Sequence, residues 1–426
     1  MCSEVKMQGS IRNPKLMPLW IAVLIDILGF YIIIPFLPSF IEIYKTTPIM
    51  IGLLLATNAI FTLFFAPILG KLSDKYGRKP LLLISQAGTM TAFLILAFSN
   101  SLWMLFLARI VDGIFGGNFP IAKAIISDQT SPKDRGVQMT NFGVIHTIAG
   151  LVGPGLGGIL SIIKPLGDNY PVFAPGIGAA IMSFFTIIVT IFMLEESWSK
   201  ERRNHAKKVI KVKIQLRKNK DALFLLTQFT ISSISFIMFV SSMGVYMKVV
   251  MGLDPFGIGM FMTISGISRA IVRFTVFKPT LRKLGEKRMT RLGLVILTIS
   301  FFLIGFAREP ISLIILLIFI SYGVSCSRGL LISKTTQTVT PNHMGKINGY
   351  TTTLDSIAQI IGPIIGTFIL TGFDPIFFGV VIGSVGLGAM LMDFNKIVPL
   401  MQRQKIDGNK PELFGGSEGG GENHQH

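Results

Sequence analysis

Gly70-Lys71-Leu72-Ser73-Asp74-Lys75-Tyr76-Gly77-Arg78-Lys79 separates two apolar stretches, residues 49–70 and 80–99. Each stretch has about the twenty residues that an α-helix needs to cross roughly 30 Å of hydrocarbon. Such blocks must be helical in lipid, because every backbone polar group has to be satisfied within the segment. The charged decapeptide is therefore a turn between two membrane spans. Gly77 allows the tight turn, Asp74 suits the positive N-terminus of a neighbouring helix, and Arg78 can pair with an acid such as Asp128.

The rest of the chain repeats the pattern. Half of its 426 residues are hydrophobic and 15% are charged, with a mean hydropathy of +0.62. Spans are expected at 17–41, 49–70, 80–99, 102–126, 138–163, 172–194, 222–247, 255–277, 290–307, 311–333, 346–370 and 374–393. The fold class is an all-α membrane protein of twelve transmembrane helices in two six-helix halves. Residues 1–16 form a polar, basic N-terminal segment, 17–194 the first half and 195–220 a basic linker. Residues 221–395 form the second half and 396–426 a Gly-rich tail expected to be disordered.

The net charge is +18, but the basic residues follow the loops. One side of the membrane receives only Lys45, Lys164, Lys248 and Arg308, and the spans hold Arg109, Lys123, Arg269, Arg273 and Arg328. The remainder of the 40 Lys and Arg residues fall on the other side. That asymmetry predicts a multi-pass protein of the plasma membrane with both termini cytoplasmic. It also accounts for the charge without a nucleic-acid partner. Cys2 and Cys326 are too far apart in sequence to form a disulfide framework or a metal cluster. No phosphate-binding loop, nucleophile motif or metal-ligand spacing appears, so neither enzyme nor cofactor is expected.

The halves repeat in sequence. Ser131-Pro132 and Gly136 match Thr340-Pro341 and Gly345 at an offset of 209, as do Gly153-Pro154 and Gly157 with Gly362-Pro363 and Gly366. Lys75, Gly77 and Lys79 match Lys283, Gly285 and Lys287 at 208. Parallel repeats of six spans imply a binding site between the halves near the bilayer midplane, exposed to each side in turn.

The decapeptide resembles the loop signature of the major facilitator superfamily, and the resemblance covers about residues 15–395. Arg109-Ile110-Val111-Asp112-Gly113 with Gly116-Gly117 is similar to its second motif, although Asp112 stands where an amide or small residue is common. Gly143 through Gly150 to Gly153-Pro154-Gly155-Leu156-Gly157-Gly158 resembles the motif of its drug–proton antiporters. Asp26-Ile27-Leu28-Gly29-Phe30 with Pro35 and Pro38 is similar to tetracycline-type exporters. The second copy of the loop motif is degraded, with Arg282 replacing the acid. The resemblance implies a proton-coupled exporter of small lipophilic or cationic compounds, working as a monomer by alternating access. It assigns Gly70, Asp74, Gly77, Arg78, Asp128, Gly150, Gly153, Pro154, Gly157 and Gly158 to conformational change.

Ionisable groups inside a span are costly, about 3 kcal/mol at the centre, so each is a functional candidate. Asp26, close to mid-depth of the first span, is a candidate for proton coupling or for the substrate cavity. Arg109 and Asp112 share a helix face and can neutralise each other; the resemblance gives Arg109 a part in coupling. His146 and Asp355 occupy matched positions, either as a proton relay across the halves or as polar contacts. Arg269 and Arg273, four apart on one face, can hold a carboxylate or phosphate in a forked geometry. With Arg328 they support the alternative of an organic-anion symporter or exchanger. A non-transporting receptor is the third reading, and the repeats and coupling motifs argue against it.

Overall fold

The computed structural model describes residues 16–131, 135–163, 165–167, 170–198, 219–339 and 344–394. The N-terminal segment up to residue 15, most of the linker, the tail and the Pro132 and Thr340-Pro341 turns lie outside the described residues.

The chain is a bundle of long helices. The first span is α1, Met17–Ile33, running into a 3-10 turn, Ile34–Ser39, and the short α2, Phe40–Ile43. Continuous α-helix was expected to residue 41, but Pro35 and Pro38 lack the N–H that an α-helix needs. Next come α3, Pro48–Tyr76, and α4, Arg78–Ala97. The fourth span, expected as one helix, divides into α5, Leu102–Ile114, and α6, Asn118–Gln129. The break falls at Gly116-Gly117, where a Cβ would lie 2.7 Å from the Thr62 hydroxyl and 2.8 Å from that of Ser85. The first half ends with α7, Arg135–Leu160, and α8, Phe173–Met193.

The second half opens with α9, Lys220–Met251, and α10, Pro255–Ile271. A π-helical turn, Val272–Val276, joins α10 to α11, Phe277–Ile304. The expected eighth and ninth spans are thus one helical run, broken only at Gly285, whose φ is 70°. Gly77 has φ 118° with a similar extended ψ. The two loop glycines matched in sequence make the same kind of turn, at backbone angles where a side chain is strained. The run ends in α12, Pro310–Thr336, α13, Met344–Gly372, and α14, Pro375–Met392. Among the described residues ten helices are long and apolar enough to cross a membrane. The two spans that meet at Gly285 complete a count consistent with twelve. Large apolar side chains such as Trp103, 83% exposed, and Phe192, 80% exposed, cover the outside, as a lipid-facing surface requires.

Among the described residues the halves share a core at one end only. The largest apolar cluster joins Ile32, Phe36 and Leu54 of the first half to Met243, Tyr246 and Ile258 of the second. At the end carrying the basic loops each half keeps its own core, one around Leu19, Leu81 and Ile125, the others around Leu226, Phe229 and Met289. The glycines trace the same wedge. A Cβ on Gly259 of α10 would lie 2.5 Å from the Pro154 carbonyl of α7, and one on Gly158 would lie 3.1 Å from the Phe256 carbonyl. Toward the basic loops, Gly143 meets only an Arg273 nitrogen at 3.7 Å, and nothing lies within 4 Å of Gly70 or Gly349. A cleft therefore opens between the halves toward the basic side.

Candidate functional site

Three polar assemblies stand out from the apolar bundle. The first is the quoted loop. Gly77 ends α3 and starts α4 without a linker, which folds the Arg78 side chain under the turn. Its guanidinium lies 2.7 Å from Asp74, donates at 2.7 Å to the Ser73 hydroxyl and at 3.0 Å to Asp128, and stacks 5.1 Å from the Trp198 ring. The backbone N–H groups of Arg78 and Lys79 donate to the Glu196 carboxylate at 2.9 and 3.1 Å. Glu196, not Asp74, thus answers the positive end of α4. Trp198 donates to the Asp74 carbonyl at 3.0 Å. One clasp ties the second, third, fourth and sixth spans of the first half. The second half has a counterpart beyond the degraded motif. Asp393, just past α14, meets Arg291 at 3.4 Å and Lys334 at 3.1 Å, with Phe394 stacked 4.6 Å from Arg291.

The second assembly is a polar chain inside the first half. The helix break at Gly116-Gly117 points Asn118 at α1, where its amide donates at 2.8 Å to Asp26, itself 7% exposed. The same amide reaches the Thr89 hydroxyl at 3.4 Å, and Thr89 stands within reach of Asp112. Asp112 also accepts from Asn58 at 2.9 Å and lies 3.5 Å from Arg109. Two buried carboxylates are thereby linked through two neutral side chains and balanced by one guanidinium. A narrow crevice beside Asp26 is lined by Ala22, Val23, Gln86, Asn118 and Phe119. The second oxygen of Asp26 has no hydrogen-bond partner among the described residues. Asn118, Thr89 and Asn58 are polar but uncharged, and a search for ionisable groups passes over them.

The third assembly lines the cleft. Gly150, Gly153 and Gly157 face α1, while Gly155 and Gly158 face α10, so α7 packs closely on both sides. Tyr31 lies against Gly150, and its hydroxyl is 3.3 Å from His146 Nδ1. Across the cleft Arg328 pairs with Asp355 at 2.8 Å and lies over the rings of Phe229 and Phe236 at 5.8 and 5.0 Å. Asp355 thus meets Arg328, and His146 meets Tyr31. Arg269 lies within electrostatic reach of Tyr31 and Arg328, and Lys123 within reach of Asp355. Arg269 of α10 lies within electrostatic reach of Tyr31, and Arg273, in the π turn, meets α7 at Gly143. Such turns recur at functional sites.

The chain is similar to known proteins. The class C tetracycline resistance protein of Escherichia coli is 29% identical over 359 residues, 82% of this chain and 87% of that one. Multidrug resistance protein 2 of Bacillus subtilis (strain 168) is 25% identical over 379 residues, 87% and 92% of the two chains. The crystal structure of a D-xylose–proton symporter superposes with a TM-score of 0.74 at 13% identity, covering 91% of this chain and 98% of the other, which shows the fold alone. The family model described as Major Facilitator Superfamily matches residues 19–363 and again 276–403. With its two-half bundle, shared core at one end and polar cleft at the other, the chain belongs to the Major Facilitator Superfamily and is a membrane transporter.

Proposed function

We propose that this transporter exports small lipophilic compounds, cationic ones among them, in exchange for protons entering the cell. The observation that carries this reading is the buried chain Asp26–Asn118–Thr89–Asp112–Arg109. A carboxyl without access to bulk water, hydrogen-bonded on one oxygen and free on the other, is suited to holding a proton through a conformational cycle. The relatives named for tetracycline and multidrug resistance support the same direction and substrate range.

In the proposed cycle the cleft receives substrate from the basic side, which the charge asymmetry makes cytoplasmic. Rocking of the halves closes the Arg78 end and opens the Gly158–Gly259 end. Substrate leaves there, and a proton taken up from outside is delivered to Asp26 and Asp112 for the return. Arg109 balances the pair while it is ionised. The clasp around Arg78 keeps the first half rigid during rocking. We place the protein in the plasma membrane with both termini cytoplasmic, acting as a monomer.

The test is proton flux in proteoliposomes loaded with a pH-sensitive dye and challenged with a panel of lipophilic compounds. Compound-triggered flux in the wild type that vanishes in Asp26→Asn is the expected result. Flux of equal size in the variant removes Asp26 from the coupling path and refutes the reading.

A further inference from the structure

The cleft holds more positive charge than its own acids balance. Lys123, Arg269, Arg273 and Arg328 are grouped around it, and among the described residues the acid that faces them is Asp355, already engaged by Arg328 at 2.8 Å. Asp26 and Asp112 are committed to Asn118, Thr89, Asn58 and Arg109 inside the first half. Arg269 Nε and Arg328 Nη1 are buried and make no hydrogen bond among the described residues. A guanidinium is stable at that depth when an opposite charge and hydrogen-bond acceptors meet it. Its planar fork fits carboxylate, phosphate, sulfonate or enolate oxygens. Phe236 beneath Arg328 and Phe119 beside His146, neither of them buried, give the same space flat apolar walls.

We infer that the transported compounds carry an acidic group, which seats on Arg269 and the free edge of Arg328 while an aromatic body lies against the phenylalanines. This rests on the exporter reading and narrows it: a lipophilic or cation-bearing molecule is accepted through an acidic group elsewhere on it. One further observation supports the seat: the Tyr31 hydroxyl, 3.3 Å from His146 and within electrostatic reach of Arg269, adds a polar group at the same place.

The experiment uses three probes with one ring system and three charges: 2-naphthoate, 2-naphthalenemethanol and 2-naphthylmethylammonium. Binding is measured by calorimetry on the full chain in nanodiscs of phosphatidylcholine, with and without phosphatidylglycerol, and uptake is measured in proteoliposomes. A charge-assisted contact predicts that naphthoate binds at least about 10-fold more tightly than the alcohol. Arg269→Gln should erase that advantage, and Arg269→Lys should restore part of it. Equal binding of the three probes by the wild type, or tightest binding of the ammonium, overturns the inference whether or not the variants fold. So does a naphthoate preference that persists in Arg269→Gln. Suppression of naphthoate binding by phosphatidylglycerol, with no naphthoate transport, makes the seat a lipid-headgroup site and overturns the substrate assignment. Proton flux is read in the same vesicles. A naphthoate preference without coupled flux sinks the antiport reading alone, whereas flux without the preference sinks only this inference.

Discussion

Gly259→Ala should push the transporter out of the conformation described above. The Cβ it adds lies 2.5 Å from the Pro154 carbonyl oxygen and 3.0 Å from the Gly158 Cα, about 0.9 Å short of the 3.4 Å at which ordinary contact begins. Both atoms belong to the backbone of α7, so no side chain can swing aside. The cost is that of overpacking, about 1–3 kcal/mol. It falls on the state in which α7 and α10 are pressed together at this end and is relieved when the halves part there. The ratio of the two states should therefore shift about 5- to 150-fold toward opening at the Gly158–Gly259 end. Spin labels at Lys71 and Lys346, one on each half and both exposed near the basic end, read the shift by double electron–electron resonance as a shortened distance. Gly349→Ala is the control, since nothing lies within 4 Å of that Cβ. Unchanged distances in a folded Gly259→Ala protein, or an equal shift in the control, would refute the wedge geometry.

Arg78→Ala removes a guanidinium that serves Asp74, Ser73 and Asp128 at once and takes one partner from Asp128, whose side chain is 11% exposed; thermal unfolding in detergent should show a loss of about 3 kcal/mol. Thr89→Val keeps the side-chain shape but cuts the link between Asn118 and Asp112, so coupled proton flux should fall at least about 10-fold and return in Thr89→Ser. The backbone N–H of Ile376 donates to Asp374, and Arg308 lies beside it, which together hold that carboxyl below its ordinary range. Since its folded-state pKa is depressed, the capping contribution is complete above the ordinary carboxylate range and is lost as pH falls through the lowered value. The protection of the amides at the start of α14, taken relative to their intrinsic exchange rates at each pH, should accordingly fall in acid, and less so in Asp374→Asn, which keeps an acceptor without the charge. An acidic substrate leaving against one entering proton moves two charges inward, so a potential of 100 mV, negative inside, should contribute about 5 kcal/mol per turnover. Valinomycin-imposed potentials should then accelerate naphthoate export.

The sequence carried the architecture because lipid imposes it. Apolar blocks of span length, the basic loops and the Gly77–Gly285 match were readable, since each reflects a local physical demand: crossing length, charge retention or a positive φ. Packing and partner choice were not readable. Gly116-Gly117 falls inside one expected span, 102–126, yet it is where α5 and α6 separate and direct Asn118 to Asp26. Glu196 and Asp393 read as ordinary loop acids, because their roles depend on where the last helix of each half returns. The equivalence of His146 and Asp355 under the repeat suggested a pair, but helix rotation gives each a nearer partner, Tyr31 and Arg328. The π turn that carries Arg273 leaves no mark in a hydropathy pattern.

The distribution of charge divides the work between the halves. Acids with a balancing arginine occupy the interior of the first half, while Arg269 and Arg273 of the second half, with no ion pair among the described residues, stand at the cleft beside the Arg328–Asp355 pair. On the proposed reading protons and substrate therefore use different sites, and something must connect them. The connection available is α6. Asn118 hydrogen-bonds Asp26, and the adjacent Phe119 packs at 6.2 Å against the His146 ring and 6.0 Å against Phe142 in the cleft wall. Asn118 and Phe119 share the first turn after the Gly116-Gly117 break, so a backbone rotation of that turn moves both and carries a change at the Asp26 hydrogen bond to the cleft wall.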